Sequence, residues 1–289
     1  MQNKNIRQKI RVGFFGTPDY AVMTLDALHQ AGFEIAFVVT MPDRPRGRKM
    51  LLTPPPAKVW AEQHKIPVLQ PEKLHDIEFI EKLKSFACDI FVVIAYGKII
   101  PEDILNIPKG KSLNIHGSLL PAYRGSCPIE TAILENQKHT GVTIMRMDSE
   151  MDHGPIIATK DVFVEPWPPQ AEILGSEIVK AGSELLVSIL PDWISGKLPE
   201  HEQDHSQATF TKMIKKEDGL IDFNDDPYKN YLKIQAYHGW PSAFFFIEKD
   251  GKKIRVKITQ ASFKEGKLII EKVIPEGKSE MDYASLIIV

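Results

Sequence analysis

The residues best suited to chemistry lie in SLNIHGSLLPAYRGSCP, residues 112–128. Strand alternation over SLNIH puts Asn114 and His116 on one face, and Gly117 with a Pro-punctuated loop ends the strand. GVTIMRMD (141–148) reads as a second apolar strand, and the loop SEMDHG (149–154) delivers Asp152 and His153. Acyl transfer to an amine needs three things: a base for the ammonium proton, a donor for the oxyanion of the tetrahedral intermediate, and a carboxylate to hold the imidazole. His116, Asn114 and Asp152 would fill those roles without a metal or a covalent intermediate. Spacing alone also suits a hydrogen-bonded structural histidine and an aspartate that caps its own loop.

Other chemistries have weaker claims. Two His and one carboxylate (His116, His153, Asp152) without characteristic spacing do not make a metal motif. Cys127 beside the loop reads more naturally as a small packing residue than as a nucleophile. The first turn, GFFGTPDYA, lacks the third glycine of G-x-G-x-x-G and carries Pro18 where a dinucleotide loop needs close backbone approach. No phosphate-binding G-x-x-x-x-G-K-[ST] loop, H-E-x-x-H pair or G-x-S-x-G elbow occurs, which removes the usual NTPase, zincin and α/β-hydrolase signatures.

The elements that must position these residues alternate along the chain. Ile10–Phe15, Glu34–Thr40, Ile66–Leu69, Ile90–Ala95 and Ser112–His116 read as strands; Asp19–Gln30, Ala57–His64, Asp76–Phe86 and Ala171–Leu190 read as helices. Such alternation predicts right-handed βαβ units and a doubly wound parallel sheet, Rossmann-like in class, with ligands at the carboxyl ends of the strands. SGKLPEHEQDHSQ (195–207) is polar and marks the expected boundary between residues 1–204 and a smaller domain, residues 205–289. There the runs AFFFIE, KIRVKIT and KLIIEKVI, separated by KDG, KEG and PEG, predict a small antiparallel, OB-like β-barrel.

Composition narrows the classes further. The 289 residues carry 36 Lys+Arg against 38 Asp+Glu, a net charge of −2, so any nucleic-acid surface must be local. Cys88 and Cys127, the only cysteines, make no disulfide framework and point to a reducing compartment. The longest apolar run, Ile90–Tyr96, has the length of a buried strand and is far short of a membrane span. The N-terminal MQNKNIRQKI is polar and basic, the mark of a cytoplasmic extension and not of a leader.

SLNIHGSLLPAYRG followed by GVTIMRMDSEMDHGP resembles the folate-dependent formyltransferases, whose motif is a strand-borne Asn-x-His, an S-L-L-P loop and a later Asp-x-Gly. GTPDYA, MPDRPRGRKMLLTPPPAKVWA, AYGKIIP, ATFTKMIKKEDGLIDF and IQAYHGWPSAF are similar to the branch of that family that acts on aminoacyl-tRNA. The likeness runs from about Ile10 to about Glu280. It implies transfer of a formyl group from 10-formyltetrahydrofolate, as co-substrate and with no metal, to the α-amino group of initiator methionyl-tRNA. Asn114, His116 and Asp152 match the family's catalytic positions. Ser118, Leu119, Leu120 and Pro121 match its tetrahydrofolate loop, and Tyr96 and Gly97 lie in the segment bordering the pterin pocket. The expected protein is a cytoplasmic monomer with RNA and a small-molecule folate as partners and no membrane association.

The insert Met41–Thr53 carries Arg44, Arg46, Arg48 and Lys49 against Asp43, a local charge of +3 that suits phosphate contacts in tRNA and equally suits a solvated Pro-rich loop. Residues 205–289 hold 14 Lys+Arg and 12 Asp+Glu, net +2, a mildly basic balance. Three features depart from the family pattern: Met50 where many members carry Lys, Ser126 and Cys127 in place of a small apolar pair, and an early stop at Val289. The first two leave the catalytic set untouched, and the third bears on the closure of the second domain.

Overall fold

β-Branched and aromatic runs dictate the centre of the molecule, because such side chains pack best on a pleated surface covered on both faces. The structure, a computed structural model, describes residues 9–47, 50–249 and 251–286. Its elements begin with β1 (Arg11–Gly16), α1 (Asp19–Gln30) and β2 (Glu34–Val39), then a hairpin of β3 (Arg44–Arg46) and β4 (Leu51–Thr53), α2 (Pro56–Gln63) and β5 (Val68–Leu69). There follow α3 (Ile77–Ser85), β6 (Ile90–Ile94), the one-turn α4 (Glu102–Leu105), β7 (Ser112–His116), α5 (Pro128–Leu134), β8 (Thr140–Arg146), β9 (Ile156–Val162) and α6 (Ala171–Ile194).

Seven strands form one sheet in the order β5-β2-β1-β6-β7-β8-β9. The pairs β1·β2, β2·β5, β1·β6 and β6·β7 are all parallel, which is the doubly wound pattern expected. The fully parallel sheet needs one correction: β8 runs antiparallel to β7, with His116 opposite Thr143 and Asn114 opposite Met145. An apolar run announces a buried strand but carries no signal of direction, and a connection as long as that between β7 and β8 permits either sense.

The sheet's core explains why the strands sit still. Phe14, Phe15, Phe37 and Phe91 are all within 1% of full burial. Phe15 packs on Phe37, Phe91 and Tyr96 at centroid distances of 5.3–6.0 Å. Each such buried aromatic contributes about 1.5–3 kcal/mol from area alone. Helix α1 buries Ala21, Thr24, Leu25 and Leu28, the i, i+3, i+4, i+7 stripe of a surface helix. Helix α3 is capped by Asp76, whose carboxylate accepts from the Glu78 amide, and buries Phe79 and Leu83 four residues apart.

The chain groups into two compact units. One comprises the chain as far as Arg124 together with Gly141–Val162 and Ser176–Thr209; the other comprises Gly125–Thr140, Phe163–Gly175 and the chain from Phe210. In the second unit the expected antiparallel β-structure is a four-stranded sheet in the order β10 (Phe244–Lys249), β11 (Lys252–Lys264), β12 (Lys267–Pro275), β13 (Met281–Asp282). Its core is Ile221, Ile234, Ala243, Phe245, Val256, Ile258 and Val273. Apolar alternation did not signal α7 (Pro227–Ala236), which has proline in its first turn and the Asp226 carboxylate accepting from the Tyr228 and Lys229 amides. A four-residue helix, α8 (Tyr283–Leu286), follows β13.

Candidate active site

The carboxyl ends of the central parallel strands are tied together before any functional side chain is placed. The Thr17 hydroxyl, just past β1, donates to the carbonyl of Tyr96 beyond β6 at 2.8 Å and accepts from the Met41 amide beyond β2 at 3.3 Å. Strand β7 then presents Asn114 and His116 on one face, as its alternation requires.

The structure brings Asn114, His116 and Asp152 together. Asp152 Oδ1 lies 3.6 Å from His116 Nδ1, an ion-pair distance for a protonated ring, and accepts a long hydrogen bond of 3.5 Å from Asn114 Nδ2. His116 is 5% exposed, and its other nitrogen, Nε2, donates to the carbonyl of Tyr123 at 2.9 Å. A carbonyl only accepts, so Nε2 carries the proton in that contact. A neutral ring therefore satisfies Tyr123 alone; the doubly protonated ring satisfies Tyr123 and Asp152 together. Asp152 itself has a left-handed backbone, φ 51°, which non-glycine residues adopt rarely and at functional loops. Gly154, two residues on, is packed so closely beneath the carbonyl of Arg146 that a Cβ there would collide with it. His153, the alternative metal ligand, instead places Nδ1 2.8 Å from Asp148 and stacks on His205 at 4.1 Å. Among the described residues no group of three or more His, Cys, Asp or Glu is arranged to hold a metal ion.

The loop after β7 is braced from within. Ser118, 1% exposed, uses its hydroxyl on the carbonyl of Ala122 at 2.5 Å, so it shapes the loop and does not face outward. Thr143, wholly buried on β8, accepts from the Leu120 amide at 3.0 Å and donates to the Ser118 carbonyl at 2.7 Å. Leu120 is buried, while Leu119 and Pro121 are half-buried and available to an apolar ligand surface. The Leu120–Pro121 bond is cis.

Tyr96 begins the segment expected to border the pterin pocket, and its side chain turns into the sheet. Its ring is 3% exposed and belongs to the sheet core against Phe15, and burial pushes its phenol up to about 12. What this segment offers a ligand is backbone: Gly97 is exposed at φ 97°, where an added Cβ would meet only Met41, at 3.7 Å. Two open surface grooves, one along Val68–Lys73 and Phe79 and one between Asp19, Pro54 and Trp60, include neither Asn114, His116 nor Asp152.

The basic insert is a hairpin, not a structureless loop, with Arg44 opposite Thr53 and Arg46 opposite Leu51. Arg44 is exposed; Arg48 and Lys49 lie outside the described residues. Asp43, the insert's one acid, is held by Lys58 Nζ at 2.9 Å and by Gln70 at 2.8 Å, and those hydrogen bonds lower its carboxyl below the usual range. Asp43 is thus already paired with Lys58 from the following helix.

Sequence reasoning missed Thr143, Arg124 and Gln203. Thr143 sat in view within GVTIMRMD, a strand buried at every position from 140 to 145. Gln203 carried no local signal, lying in a polar stretch read as a linker.

A doubly wound sheet with Asn-x-His at a strand end and Asp-x-Gly in a facing loop defines a formyl-group transferase, and the comparisons agree. The family model described as formyl transferase matches residues 8–190 and that described as formyl transferase, C-terminal domain, matches residues 213–267; the chain belongs to this family. Within it the chain falls among the methionyl-tRNA formyltransferases. It is 50% identical over 239 residues to the methionyl-tRNA formyltransferase of Chloroflexus aggregans, covering 82% of this chain and 76% of that one. It is 37% identical to that of Desulfotalea psychrophila, covering 97% and 93%. Among solved structures, methionyl-tRNA formyltransferase from Clostridium thermocellum matches with a TM-score of 0.60 at 19% identity over 92% and 98% of the two chains. A 4-N formyltransferase from Francisella tularensis matches with 0.64 at 17% identity over 86% and 96%. The structural likeness therefore speaks for the fold alone, and the sequence likeness is to methionyl-tRNA formyltransferases.

Proposed function

We infer that the protein moves a formyl group from 10-formyltetrahydrofolate to the α-amino group of methionine esterified to initiator tRNA. The observation that carries this reading is the convergence of Asn114 and His116 on Asp152, in a chain 50% identical to a methionyl-tRNA formyltransferase.

The residues suit a folate donor. The exposed backbone at Gly97 leaves room for a flat ring, Leu119 and Pro121 supply apolar wall, and Asn114 is half-buried with a carboxamide able to donate. When bound, 10-formyltetrahydrofolate supplies an activated formyl carbon. The bond formed joins that carbon to the methionine nitrogen, and the bond broken joins it to the folate nitrogen; one proton leaves the amine and one reaches the departing nitrogen. His116 is the group that takes the first and returns the second. Asn114 donates to the oxyanion of the tetrahedral intermediate. Asp152 orients the imidazole and stabilises its charged form. Positioned acid–base catalysis contributes roughly 10²- to 10⁴-fold and one oxyanion donor about 10²- to 10³-fold, so holding the two substrates together must supply much of the rest.

Arg44, Arg46, Arg48 and Lys49 are assigned to tRNA phosphates, and catalysis to residues 1–204, with 205–289 as the smaller domain. The reading makes the protein a monomer of the cytoplasm; no described helix is long and apolar enough to cross a membrane. Incubation with 10-formyltetrahydrofolate and either methionyl-tRNA or an amino sugar nucleotide tests it. Formyl-methionyl-tRNA is the expected product, and formylation of the sugar nucleotide alone would refute the assignment.

A further inference from the structure

Gln203 is remote from β7 in sequence, yet its side chain joins the two loops that hold His116. Its Nε2 donates to the carbonyl of Asp152 at 2.9 Å and to that of Gly154 at 2.6 Å. Its Oε1 accepts from Arg124 Nε at 3.1 Å and Nη2 at 2.7 Å. Gln203 is 5% exposed and Arg124 is 3% exposed, so water does not compete for these bonds. The amide has one orientation only: flipped, its NH₂ would face two guanidinium donors and its oxygen two carbonyls.

Each end of this bridge leads to a different nitrogen of His116. Asp152, whose backbone Gln203 holds in the left-handed region, faces Nδ1. Tyr123, which precedes Arg124, accepts from Nε2. The same stretch of chain reinforces the second end, because Thr209 accepts from the Arg124 amide at 2.8 Å through its carbonyl and from the Tyr123 amide at 2.8 Å through its hydroxyl. Residues 203–209 thus brace both partners of one imidazole.

We propose that Gln203 is a positioning residue for formyl transfer: bridging Arg124 to the carbonyls of Asp152 and Gly154, it sets the place of Asp152 against His116. The assignment rests on the proposed function. Gln203 touches no reacting atom; its effect on formyl transfer is assigned to the arm that holds Asp152, while Thr209 braces the Tyr123 end independently of it.

The test compares the intact wild-type chain with Gln203→Leu, Gln203→Glu, Asp152→Ala and the double variant Asp152→Ala with Gln203→Leu, measuring kcat, both KM values and the pH profile of kcat, each normalised to folded protein by circular dichroism. Gln203→Leu is expected to lower kcat about 10- to 100-fold, the range that a displacement of about 1 Å produces, while the KM values for folate and methionyl-tRNA move less than about threefold. The pH profile is expected to shift, because the Asp152–His116 contact is loosened. Gln203→Glu keeps an acceptor for Arg124 but sets an oxygen against the two carbonyls; it is expected to fail in the same direction, and it carries the test if Gln203→Leu does not fold. In the Asp152→Ala background Gln203→Leu is expected to add less than about twofold, since groups that act as a unit are not additive. Losses that multiply in the double variant, or a pH profile unmoved in both Gln203 variants, would overturn the assignment while leaving the function intact. A wild-type protein that does not formylate methionyl-tRNA would instead overturn the reading on which it rests.

Discussion

Thr143 faces His116 across the β7–β8 register, and its one hydroxyl grips the adjoining loop at two points, the Leu120 amide and the Ser118 carbonyl. The antiparallel strand β8 thereby braces the loop whose sequence matches the family's tetrahydrofolate loop. Thr143→Val preserves shape and leaves both loop groups buried and unpaired, at a cost of about 1–3 kcal/mol for each. The variant should unfold at lower urea concentration and show a raised KM for 10-formyltetrahydrofolate with a smaller change for methionyl-tRNA. Thr143→Ser should recover most of both; a serine variant as poor as valine would count against the hydroxyl.

Removing the acid–base or oxyanion group should act on the chemical step. His116→Ala is expected to slow single-turnover formylation by roughly 10²- to 10⁴-fold and Asn114→Ala by about 10²- to 10³-fold, with tRNA affinity little changed. Filter binding beside rapid-quench kinetics separates the two effects. Near-normal single-turnover rates in either variant would remove that residue from its role.

The hairpin makes an ionic-strength prediction. If Arg44 and Arg48 contact phosphates, tRNA affinity should fall steeply with salt, and the log–log slope should lose about 0.7–0.9 for each contact removed in Arg44→Ala with Arg48→Ala. Because Lys58 already occupies Asp43, Asp43→Asn should leave that slope nearly untouched. A double arginine variant with the wild-type slope would move the RNA surface elsewhere.

Glu130 offers a test of sign in stability. Burial raises its carboxyl above the ordinary value of 4.5. A group raised in the folded state favours folding below its unfolded value, and that contribution is lost as pH climbs through the folded value and the half-buried carboxylate ionises. Glu130→Gln avoids the ionisation. Its melting temperature should match wild type below pH 4.5 and exceed it at pH 7–8. A difference that stays constant with pH would mean that the carboxyl ionises as freely in the fold as out of it.

Much of the site could be read before folding. Period-two alternation places Asn114 and His116 on one face whatever the rest of the chain does, and the runs IRVGFF, EIAFVV and IFVVI specify buried strands through their own side chains. The order of Asn-x-His, S-L-L-P and Asp-x-Gly carried the family resemblance.

Other features required the tertiary structure. Strand direction has no residue signature, so β8 could be recognised as a strand but not as an antiparallel one. Which way the Tyr96 ring turns also needed the fold, where the aromatic cluster around Phe15 draws it inward. Gln203 and Arg124 are 79 residues apart, and only closure of the chain turns two unremarkable polar side chains into a saturated, buried bridge. Local spacing determines which face a side chain takes, because that depends on backbone periodicity alone. Which partners meet on that face depends on long-range packing, and there the three-dimensional arrangement alone decides.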